Sequence, residues 1–235
     1  MKRLICFDLD GTLTQHRTPL DAQNRAVLDK LGKKHKLLMV GAGGTERIWN
    51  QMGQYPIDIL GNYGMQESKM IDGKFVLVRE DTAPVDQAFF REQVAYLREK
   101  YGYTEYKGES VEFHASGMVT FPMLGTKADI ADKLAYDPDR SRRKVMYPFV
   151  CELFHDYRVV IGGSSSFDIA PHPYNKLYAL DRYCAEHGMT HADVLYCGDD
   201  YGVGGNDEQV YLSDIDFVKV DDYRKLGEYL SPLLD

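Results

Sequence analysis

The stretch Leu4-Ile5-Cys6-Phe7-Asp8-Leu9-Asp10-Gly11-Thr12 lies near the start of the chain and decides the fold. Its run of apolar residues, bounded by polar turn residues, predicts a buried strand of a parallel sheet. Asp8 and Asp10 follow at the carboxyl end of this strand, where open α/β sheets bind ligands. Two carboxylates so close together repel each other unless a cation or a proton joins them. Bound Mg²⁺ would remove the conflict, and Gly11 permits a tight turn whose backbone N–H groups can approach a phosphate.

The composition is that of a globular protein with room for one large domain or a core with an inserted domain. The chain has 235 residues, of which 44% are hydrophobic and 27% are charged. A net charge of −8 without a basic tract argues against nucleic acid or a membrane surface as a partner. We expect neither a signal peptide nor a membrane span. The scattered cysteines, which form no C-x-x-C pair, indicate a cytoplasmic protein.

Strand and helix signals alternate after the opening stretch. Residues 19–32 predict a helix, 36–40 a strand, 46–52 a helix and 57–60 a third strand. This order predicts a doubly wound parallel sheet, which is an α/β fold. A hairpin follows, with Asp72-Gly73 as its turn and residues 74–79 as its return strand. The pattern resumes with predicted helices over 175–187, 206–212 and 222–233 and predicted strands over 194–197 and 217–220.

Residues 83–172 interrupt this alternation. They predict a helix over 84–100, strands near 103–106, 110–113 and 118–121, helices over 126–136 and 140–156 with an interruption at Pro148, and strands over 158–161 and 166–170. Strands and helices that follow one another in this way indicate an antiparallel α+β module. We therefore predict a core of residues 1–82 and 173–235, with an inserted α+β domain over 83–172.

The aspartates at the strand ends are the candidates for chemistry. Asp8 is the candidate nucleophile, because a carboxylate can attack phosphorus and form an aspartyl-phosphate. Asp10, two residues on, leaves the strand on the same side and could protonate the leaving alcohol and then activate water. Asp199 follows another predicted strand and is placed to join Asp8 on Mg²⁺, with the main-chain carbonyl of Asp10 as a further ligand. The alternative for Asp199 is an ordinary acidic turn.

Two further positions have a functional and a structural interpretation. Asn206-Asp207 could orient the site or serve only as a helix cap. Lys176 lies near a helix start, where a cation does not favour the helix dipole. It could neutralise a phosphoryl group or hold Asp8 in line. The alternative is a solvated surface lysine.

The loop after the second predicted strand reads Gly41-Ala42-Gly43-Gly44-Thr45. It is not a dinucleotide fingerprint, because Glu46 takes the position of the last glycine. A flexible loop before a helix nevertheless suits phosphate oxygens. Thr45 is either a phosphate contact or only the N-cap of that helix.

Several motifs together resemble a known superfamily. Asp8 to Thr12 matches the D-x-D-G-T motif of the haloacid dehalogenase (HAD) superfamily, Lys176 its lysine motif, and Gly198-Asp199 with Asn206-Asp207 its acidic motif. Within the superfamily, members with a type IIB cap and the eukaryotic-type phosphomannomutase family are most similar. That family's pattern is echoed in residues 111–113, 117–118, 162–163, 166–168 and 204–207.

The resemblance covers nearly the whole chain and implies a Rossmann-like HAD core with an inserted cap and a Mg²⁺ cofactor. The catalytic residues that we predict on this basis are Asp8, Asp10 and Lys176. The predicted metal ligands are Asp8, Asp10, Asp199 and Asp207. The predicted contacts to phosphate or to the rest of the substrate are Gly11, Thr12, Gly43, Thr45, His114, Ser166 and Asp168.

The chain departs from the family at two places. The family's serine or threonine after the second strand falls on Gly43, so that Thr45 or backbone N–H groups would have to replace it. Cap arginines that grip a distal phosphate in the mutases correspond here to His114, Thr126 and Lys133. Arginine matches phosphate bidentately whereas lysine does not, so we expect a weaker second phosphate site. Arg140, Arg142 and Arg143 are the alternative sources of such a clamp.

These observations predict a Mg²⁺-dependent phosphatase for small sugar phosphates or related metabolites. Ser166 and Asp168 match the substrate-contacting serine and aspartate of the family's cap, so a hydroxyl-rich sugar remains a candidate substrate. A phosphomannomutase using the same Asp8 chemistry is the alternative, and a non-catalytic phosphate-ligand sensor is a third. The expected partner is a small phosphorylated metabolite, with no nucleic acid or membrane, and a homodimer is left open.

Overall fold

A computed structural model describes residues 2–234. Over that range, the strands β1 to β11 span Leu4–Phe7, Lys36–Val40, Asp58–Gly61, Gln66–Ile71, Lys74–Glu80, Glu112–Phe113, Val119–Pro122, Tyr157–Val160, Ser166–Pro171, Val194–Gly198 and Asp216–Lys219. The helices α1 to α9 span Ala22–Leu31, Thr45–Gln51, Gln87–Tyr101, Ile130–Tyr136, Ser141–Leu153, Lys176–Glu186, Glu208–Tyr211, Leu226–Tyr229 and Ser231–Leu234. Short 3₁₀ turns lie at Asn62–Gly64, His191–Asp193 and Tyr223–Lys225.

The described residues divide into two compact units. The core unit contains the chain up to Asp81, residues 175–202, and the chain from Asp207 onward. The inserted unit contains residues 82–174 together with a later segment, 203–206. Within the inserted unit, the Ile161 N–H donates to the Gly204 carbonyl at 2.8 Å. Because this contact joins distant positions, no local pattern in the sequence indicates it.

The core unit is built on one mixed sheet. In the part of the chain that the structure describes, this sheet has seven strands in the order β11-β10-β1-β2-β3-β4-β5. The strands from β11 to β3 pair in parallel, whereas β3–β4 and β4–β5 are antiparallel. This topology confirms the predicted doubly wound α/β fold. The strand order reverses at β1, which pairs with β10 on one side and β2 on the other, so the carboxyl end of β1 lies at a topological switch point.

Alternating side chains of β1 enter two different apolar layers. Ile5 and Phe7 pack in a cluster with α1 and its residue Leu28. Leu4 and Cys6 pack in a second cluster, with residues of α6 such as Leu180. Because successive side chains of a strand point to opposite faces, burial of both faces requires the continuous apolar run that the sequence shows.

The hairpin between β4 and β5 forms at the predicted turn. Asp72 and Gly73 both have left-handed backbone angles, with φ of 49° and 75°. Two successive residues with positive φ make the type I′ turn that joins antiparallel strands tightly, and the Asp-Gly pair favours it.

The inserted unit has its own sheet and its own core. Among its described residues the strand order is β6-β7-β9-β8, with antiparallel pairing throughout. Phe90 and Val94 from α3, Val150 from α5 and Phe167 from β9 are fully buried in one apolar cluster.

Two predicted elements of this unit are wrong in detail. No strand forms over 103–106, because the Arg98 guanidinium binds the Tyr103 carbonyl at 2.9 Å. The helix predicted over 140–156 spans Ser141–Leu153 without an interruption at Pro148. Proline there removes one backbone donor. Its neighbours Met146 and Val150 are buried in the unit's core, which holds the helix together.

Three other predicted helices are shorter or divided. The helix predicted over 126–136 begins only at Ile130, because the N–H of Thr126 bonds the Glu109 carbonyl instead. The helix predicted over 206–212 is the single turn Glu208–Tyr211. The closing helix predicted over 222–233 consists of a 3₁₀ turn followed by α8 and α9.

Cys6, Cys184 and Cys197 are buried as free thiols. Between Lys2 and Leu234, no helix combines the length and the apolar character needed to cross a bilayer.

Candidate active site

Asp8 lies immediately after β1, at the switch point of the sheet. Its N–H donates to the Cys197 carbonyl at 3.0 Å, which extends the pairing of β1 with β10 by one residue. The residue is 5% exposed. A buried carboxylate needs hydrogen-bonding or charged partners, and Lys176 supplies one: its Nζ donates to Asp8 Oδ1 at 2.5 Å.

Lys176 is the first residue of α6 and is fully buried. The helix begins there because the side chain of Asn175 accepts from the Tyr178 N–H at 2.9 Å, which is an N-cap. The lysine ammonium donates to Asp8 and also to Asp207 Oδ1, at 2.7 Å. The alternative of a solvated surface lysine is therefore wrong.

Asp207 is fully buried, and its carboxylate binds Lys176 instead of capping the helix that follows. Its Oδ1 also accepts from the Tyr196 hydroxyl at 2.6 Å, and its Oδ2 from the Asp200 N–H at 3.1 Å. The side chain makes no capping hydrogen bond to α7, so the helix-cap alternative for Asp207 is wrong. Sequence reasoning missed Tyr196; the signal was a tyrosine in a fully apolar strand, since a buried hydroxyl needs a partner.

Asp199 reaches the turn after β1 because Gly11 has no side chain. Gly11 has φ of 101°, and a Cβ there would lie 2.2 Å from Asp199 Oδ2. The Thr12 hydroxyl donates to Asp199 Oδ1 at 2.9 Å. The Gly11 N–H donates to the Thr14 carbonyl at 2.8 Å, so this N–H is not free to approach a phosphate as expected. The glycine instead permits the close approach of Asp199.

The carboxylates could hold one divalent cation. Asp8, Asp199 and Asp207 each offer an oxygen, and these oxygens lie within 4.8 Å of one another. Oxygen donors suit Mg²⁺ or Ca²⁺. Three carboxylates beside the single ammonium of Lys176 leave two excess negative charges when all are ionised, which one divalent ion would balance. Asp207 already accepts from three donors, so Asp8 and Asp199 have more capacity left for a metal.

The pKa shifts in this cluster reflect the same imbalance. Burial raises the pKa of Asp8 well above its usual value; Lys176 opposes the shift, and Asp207 and Asp199 add to it. Burial, followed by the charge of Asp207, raises the pKa of Asp199 to about 7. Burial by itself would lower the pKa of Lys176, but Asp207 and Asp8 outweigh it and raise that pKa. Lys176 thus stays charged, and a bound cation would favour the charged forms of Asp8 and Asp199.

The carboxylate of Asp10 lies outside that cluster. It accepts from the Arg17 N–H and from Gln51 Nε2, both at 2.7 Å, and Arg47 Nη1 is 3.6 Å from its Oδ2. These contacts fix the side chain beside the end of α2. The main-chain carbonyl of Asp10, the ligand expected from the sequence, stays a prediction.

The loop after β2 differs from the expectation at Thr45. Thr45 is the first residue of α2 and Gly44 is the N-cap, so the N-cap alternative is wrong. The Thr45 N–H donates to Gln66 Oε1 at 3.1 Å. The Thr45 hydroxyl is buried and accepts from the Ser68 hydroxyl at 2.8 Å. This contact directs it into the core, which leaves the predicted phosphate contact without support. Gly43 remains without a hydroxyl of its own.

Two of the three predicted substrate residues of the inserted unit, His114 and Asp168, contact Thr120. His114 Nε2 lies 2.9 Å from the Thr120 hydroxyl, which donates to Asp168 Oδ1 at 3.3 Å. The Ser166 hydroxyl donates to the Gly162 carbonyl at 3.1 Å. His114 and Asp168 are thus brought together within this unit, and Ser166 lies at the start of the same strand as Asp168.

A comparison with protein families decides the relationship. The family model described as eukaryotic phosphomannomutase matches residues 25–221. The chain belongs to this phosphomannomutase family. Among relatives, the phosphomannomutase of Encephalitozoon cuniculi is 24% identical over 99% of this chain and 95% of its own length. That of Saccharomyces cerevisiae is 24% identical over 90% and 85%.

Solved structures share the fold. An IMP-nucleotidase from Plasmodium falciparum superposes with a TM-score of 0.71 at 14% identity, covering 99% of this chain and 70% of the other. A phosphatase of the HAD superfamily from Bacteroides thetaiotaomicron gives 0.61 at 16%, covering 99% and 95%. The family match, with this shared fold beside it, confirms membership of the HAD superfamily and the class of phosphoryl-transfer enzyme, both predicted from the sequence.

Proposed function

We propose that the protein is a Mg²⁺-dependent phosphatase that hydrolyses small sugar phosphates or related metabolites through an aspartyl-phosphate. The observation that carries the proposal is the buried Asp8 carboxylate at the switch point, bonded to Lys176 and close to Asp199. A sensor that only binds a phosphorylated ligand has no need of such a nucleophile.

In the proposed mechanism, Lys176 holds Asp8 Oδ1, which leaves Oδ2 to attack phosphorus. The bond from phosphorus to the leaving oxygen breaks, and that oxygen takes a proton from Asp10. Asp10 then removes a proton from water, which attacks the aspartyl-phosphate, releases inorganic phosphate and restores the Asp8 carboxylate. Asp8 and Asp199 are the residues that would hold Mg²⁺, and the ion would supply charge neutralisation for the phosphoryl oxygens.

Hydrolysis is favoured over a mutase reaction by the three positions where the family carries clamp arginines. His114 is bonded to Thr120. The Thr126 hydroxyl accepts from the Glu109 N–H at 2.9 Å, and the Lys133 ammonium donates to the Thr126 carbonyl at 3.1 Å. Of the three side chains, only that of Lys133 carries a permanent positive charge. Since a mutase must hold a bisphosphate, it needs a strong second phosphate site, and bidentate arginine contacts are about twice as strong as neutral hydrogen bonds.

Arg143 is not a substitute for the missing clamp. It is fully buried, its Nε donates to Asp137 at 2.8 Å, and its Nη1 donates to the carbonyls of Gly162 and Ser166 at 2.8 and 3.0 Å. These bonds tie the start of α5 to the loop before β9, which is a structural role. Of the alternative arginines, Arg140 and Arg142 stay candidates.

Phosphomannomutase activity is the second candidate. Membership of the family favours it, since the relatives carry that name. The resemblance noted in the sequence implies that Ser166 and Asp168 correspond to the substrate-contacting serine and aspartate of the cap. Under either candidate the partner is a small phosphorylated metabolite. A homodimer and a cytoplasmic location stay predictions.

The deciding experiment measures two products in parallel. The enzyme is incubated with Mg²⁺ and either mannose 1-phosphate or mannose 6-phosphate, with and without a hexose bisphosphate activator. Free phosphate and the isomerised hexose phosphate are both quantified. We expect phosphate release to exceed interconversion.

The Asp8→Asn variant is the control for both products, because either reaction needs the nucleophile. Interconversion faster than phosphate release would replace the phosphatase proposal with the mutase. Failure to release phosphate from any of a panel of sugar phosphates, or from p-nitrophenyl phosphate, would refute the proposed hydrolysis.

A further inference from the structure

The loop at the carboxyl end of β2 adjoins the proposed phosphoryl site but supplies no hydroxyl to it. Gly43 has no side chain, and the Thr45 hydroxyl is turned toward Ser68. Asp10, the proposed general acid, is bonded to Gln51 of the helix that follows this loop. The side chain closest to Gly43 therefore determines what the loop can offer a ligand.

That side chain is Arg47. A Cβ built on Gly43 would lie 2.3 Å from Nη2 and 2.4 Å from Nε of the Arg47 guanidinium. The φ of Gly43 is not in the left-handed region, so its backbone would accept any residue. The guanidinium occupies the space that a side chain at position 43 would take, so a larger residue there would displace the end of the flexible Arg47 side chain.

The donors of Arg47 are only partly used. Nη1 donates to Gln51 Oε1 at 2.9 Å and lies 3.6 Å from Asp10 Oδ2. Among residues 2–234, Nε and Nη2 have no hydrogen-bond partner, and the side chain is 49% exposed. Those two nitrogens form the edge of a guanidinium that binds two oxygens of a phosphate or carboxylate in parallel.

We propose that Arg47 binds the phosphoryl group of the substrate, and that Gly43 is glycine so that Arg47 can do so. The inference rests on the proposed function, because it assigns a ligand to the same site. Charge supports it: Asp8, Asp199 and Asp207 lie close together at the site, and Lys176 is already held by two of these carboxylates. A phosphoryl dianion entering this field needs a further cation besides the metal.

The rival interpretation is that Arg47 only positions Asp10. The two interpretations predict different measurements. A phosphoryl-binding arginine sets the affinity for inorganic phosphate, which makes no use of the general acid. An arginine that acts through Asp10 changes kcat and its acid–base dependence but leaves phosphate affinity alone.

The experiment titrates inorganic phosphate into the whole protein with Mg²⁺ by calorimetry. We expect Arg47→Ala to weaken phosphate binding about 10- to 100-fold, the range for loss of a hydrogen-bonded charge, and Arg47→Lys to lie in between. The control is Arg224→Ala, which removes an exposed arginine bound to Asp222 elsewhere in the core unit and should leave binding unchanged.

A second variant tests the role of the glycine. Gly43→Ala adds a methyl group where the guanidinium lies and should displace it, so we expect weaker phosphate binding, by no more than the loss in Arg47→Ala. Because both substitutions act on one contact, the double variant should bind no more weakly than Arg47→Ala alone. Additive losses would mean that the two positions act independently and would overturn the inference.

The outcomes separate this inference from the proposed function. Normal phosphate affinity in Arg47→Ala, with a changed pH profile of kcat, would overturn the inference and leave the phosphatase standing. A wild-type protein that neither binds phosphate with Mg²⁺ nor hydrolyses p-nitrophenyl phosphate would overturn both.

Discussion

Replacing Lys176 by methionine tests the electrostatic design of the site. Methionine keeps most of the length of lysine but removes the ammonium that lies 2.5 Å from Asp8 and 2.7 Å from Asp207. All three side chains are at least nine-tenths buried, so water cannot replace the lost partner without rearrangement. In the variant, the buried carboxylates of Asp8 and Asp207 lose the ammonium and keep only their hydrogen bonds to other groups.

The expected loss of stability is large. Removing one partner of a buried ion pair costs about 3–5 kcal/mol. The carboxylates raise the pKa of Lys176, so its contribution is fully present below the ordinary lysine pKa and is lost only as the pH rises through the raised value. At pH 7 the whole loss should therefore be visible. At pH 5 it should be smaller, because the stranded carboxylates can take up protons.

The assay is urea unfolding in EDTA, followed by fluorescence of the single tryptophan. Trp49 stacks on Phe75 in the core unit, at 4.5 Å between ring centroids, so it reports on the unit that holds the site. With a slope of about 2–3 kcal/mol per M, the midpoint should fall by about 1–2 M. The control is Arg224→Met. Arg224 lies in the same core unit and contacts the Asp222 carboxylate at 2.8 Å, but it is 72% exposed, and its loss should not shift the midpoint measurably.

An unchanged midpoint in Lys176→Met at pH 7, with the same slope as the wild type, would refute the reasoning. It would mean that the carboxylates are neutral or hydrated without the lysine. A second variant guards against general damage to the fold. Adding Asp207→Asn to Lys176→Met removes one of the stranded charges and should recover part of the lost stability.

Three further outcomes are expected. Asp8→Asn should lower turnover on the order of 10³-fold or more in a protein that still folds; a near-normal kcat would show that Asp8 is not the nucleophile. In EDTA, the free energy of unfolding should fall as the pH rises from about 4 to 7, because unfolded Asp199 ionises near its ordinary pKa whereas the folded residue has its pKa raised to about 7. Mg²⁺ should therefore raise Tm more at pH 7 than at pH 5, and equal shifts of Tm at the two pH values would contradict this. Mg²⁺ should also restore the activity that EDTA removes, with Ca²⁺ a poor substitute, whereas full activity without metal would contradict the metal requirement. Thr45→Val should lower Tm by leaving the Ser68 hydroxyl unpaired, while kcat and KM stay unchanged. A raised KM would show that the Thr45 hydroxyl contacts the phosphate after all.

Local sequence was enough for the frame of the core unit. The apolar run from Leu4 to Phe7 predicted a strand buried on both faces, and the structure places its side chains in two apolar layers. The Asp72-Gly73 pair predicted the hairpin turn, because few residues tolerate the left-handed angles of that turn. Burial on alternate sides and permitted backbone angles are properties of a few neighbouring residues, so they can be inferred without the rest of the chain.

The partners of the polar side chains were decided only by the tertiary structure. Lys176 and Asp8 are 168 positions apart, yet the Lys176 ammonium donates a hydrogen bond to the Asp8 carboxylate in the core unit. The Thr45 hydroxyl bonds the Ser68 hydroxyl, and the Arg47 guanidinium lies where a side chain of residue 43 would be. A hydroxyl or a guanidinium binds whichever donor or acceptor the fold brings within about 3 Å, and burial makes an unpaired group costly. That choice depends on which strand ends meet at the switch point, which no local pattern contains.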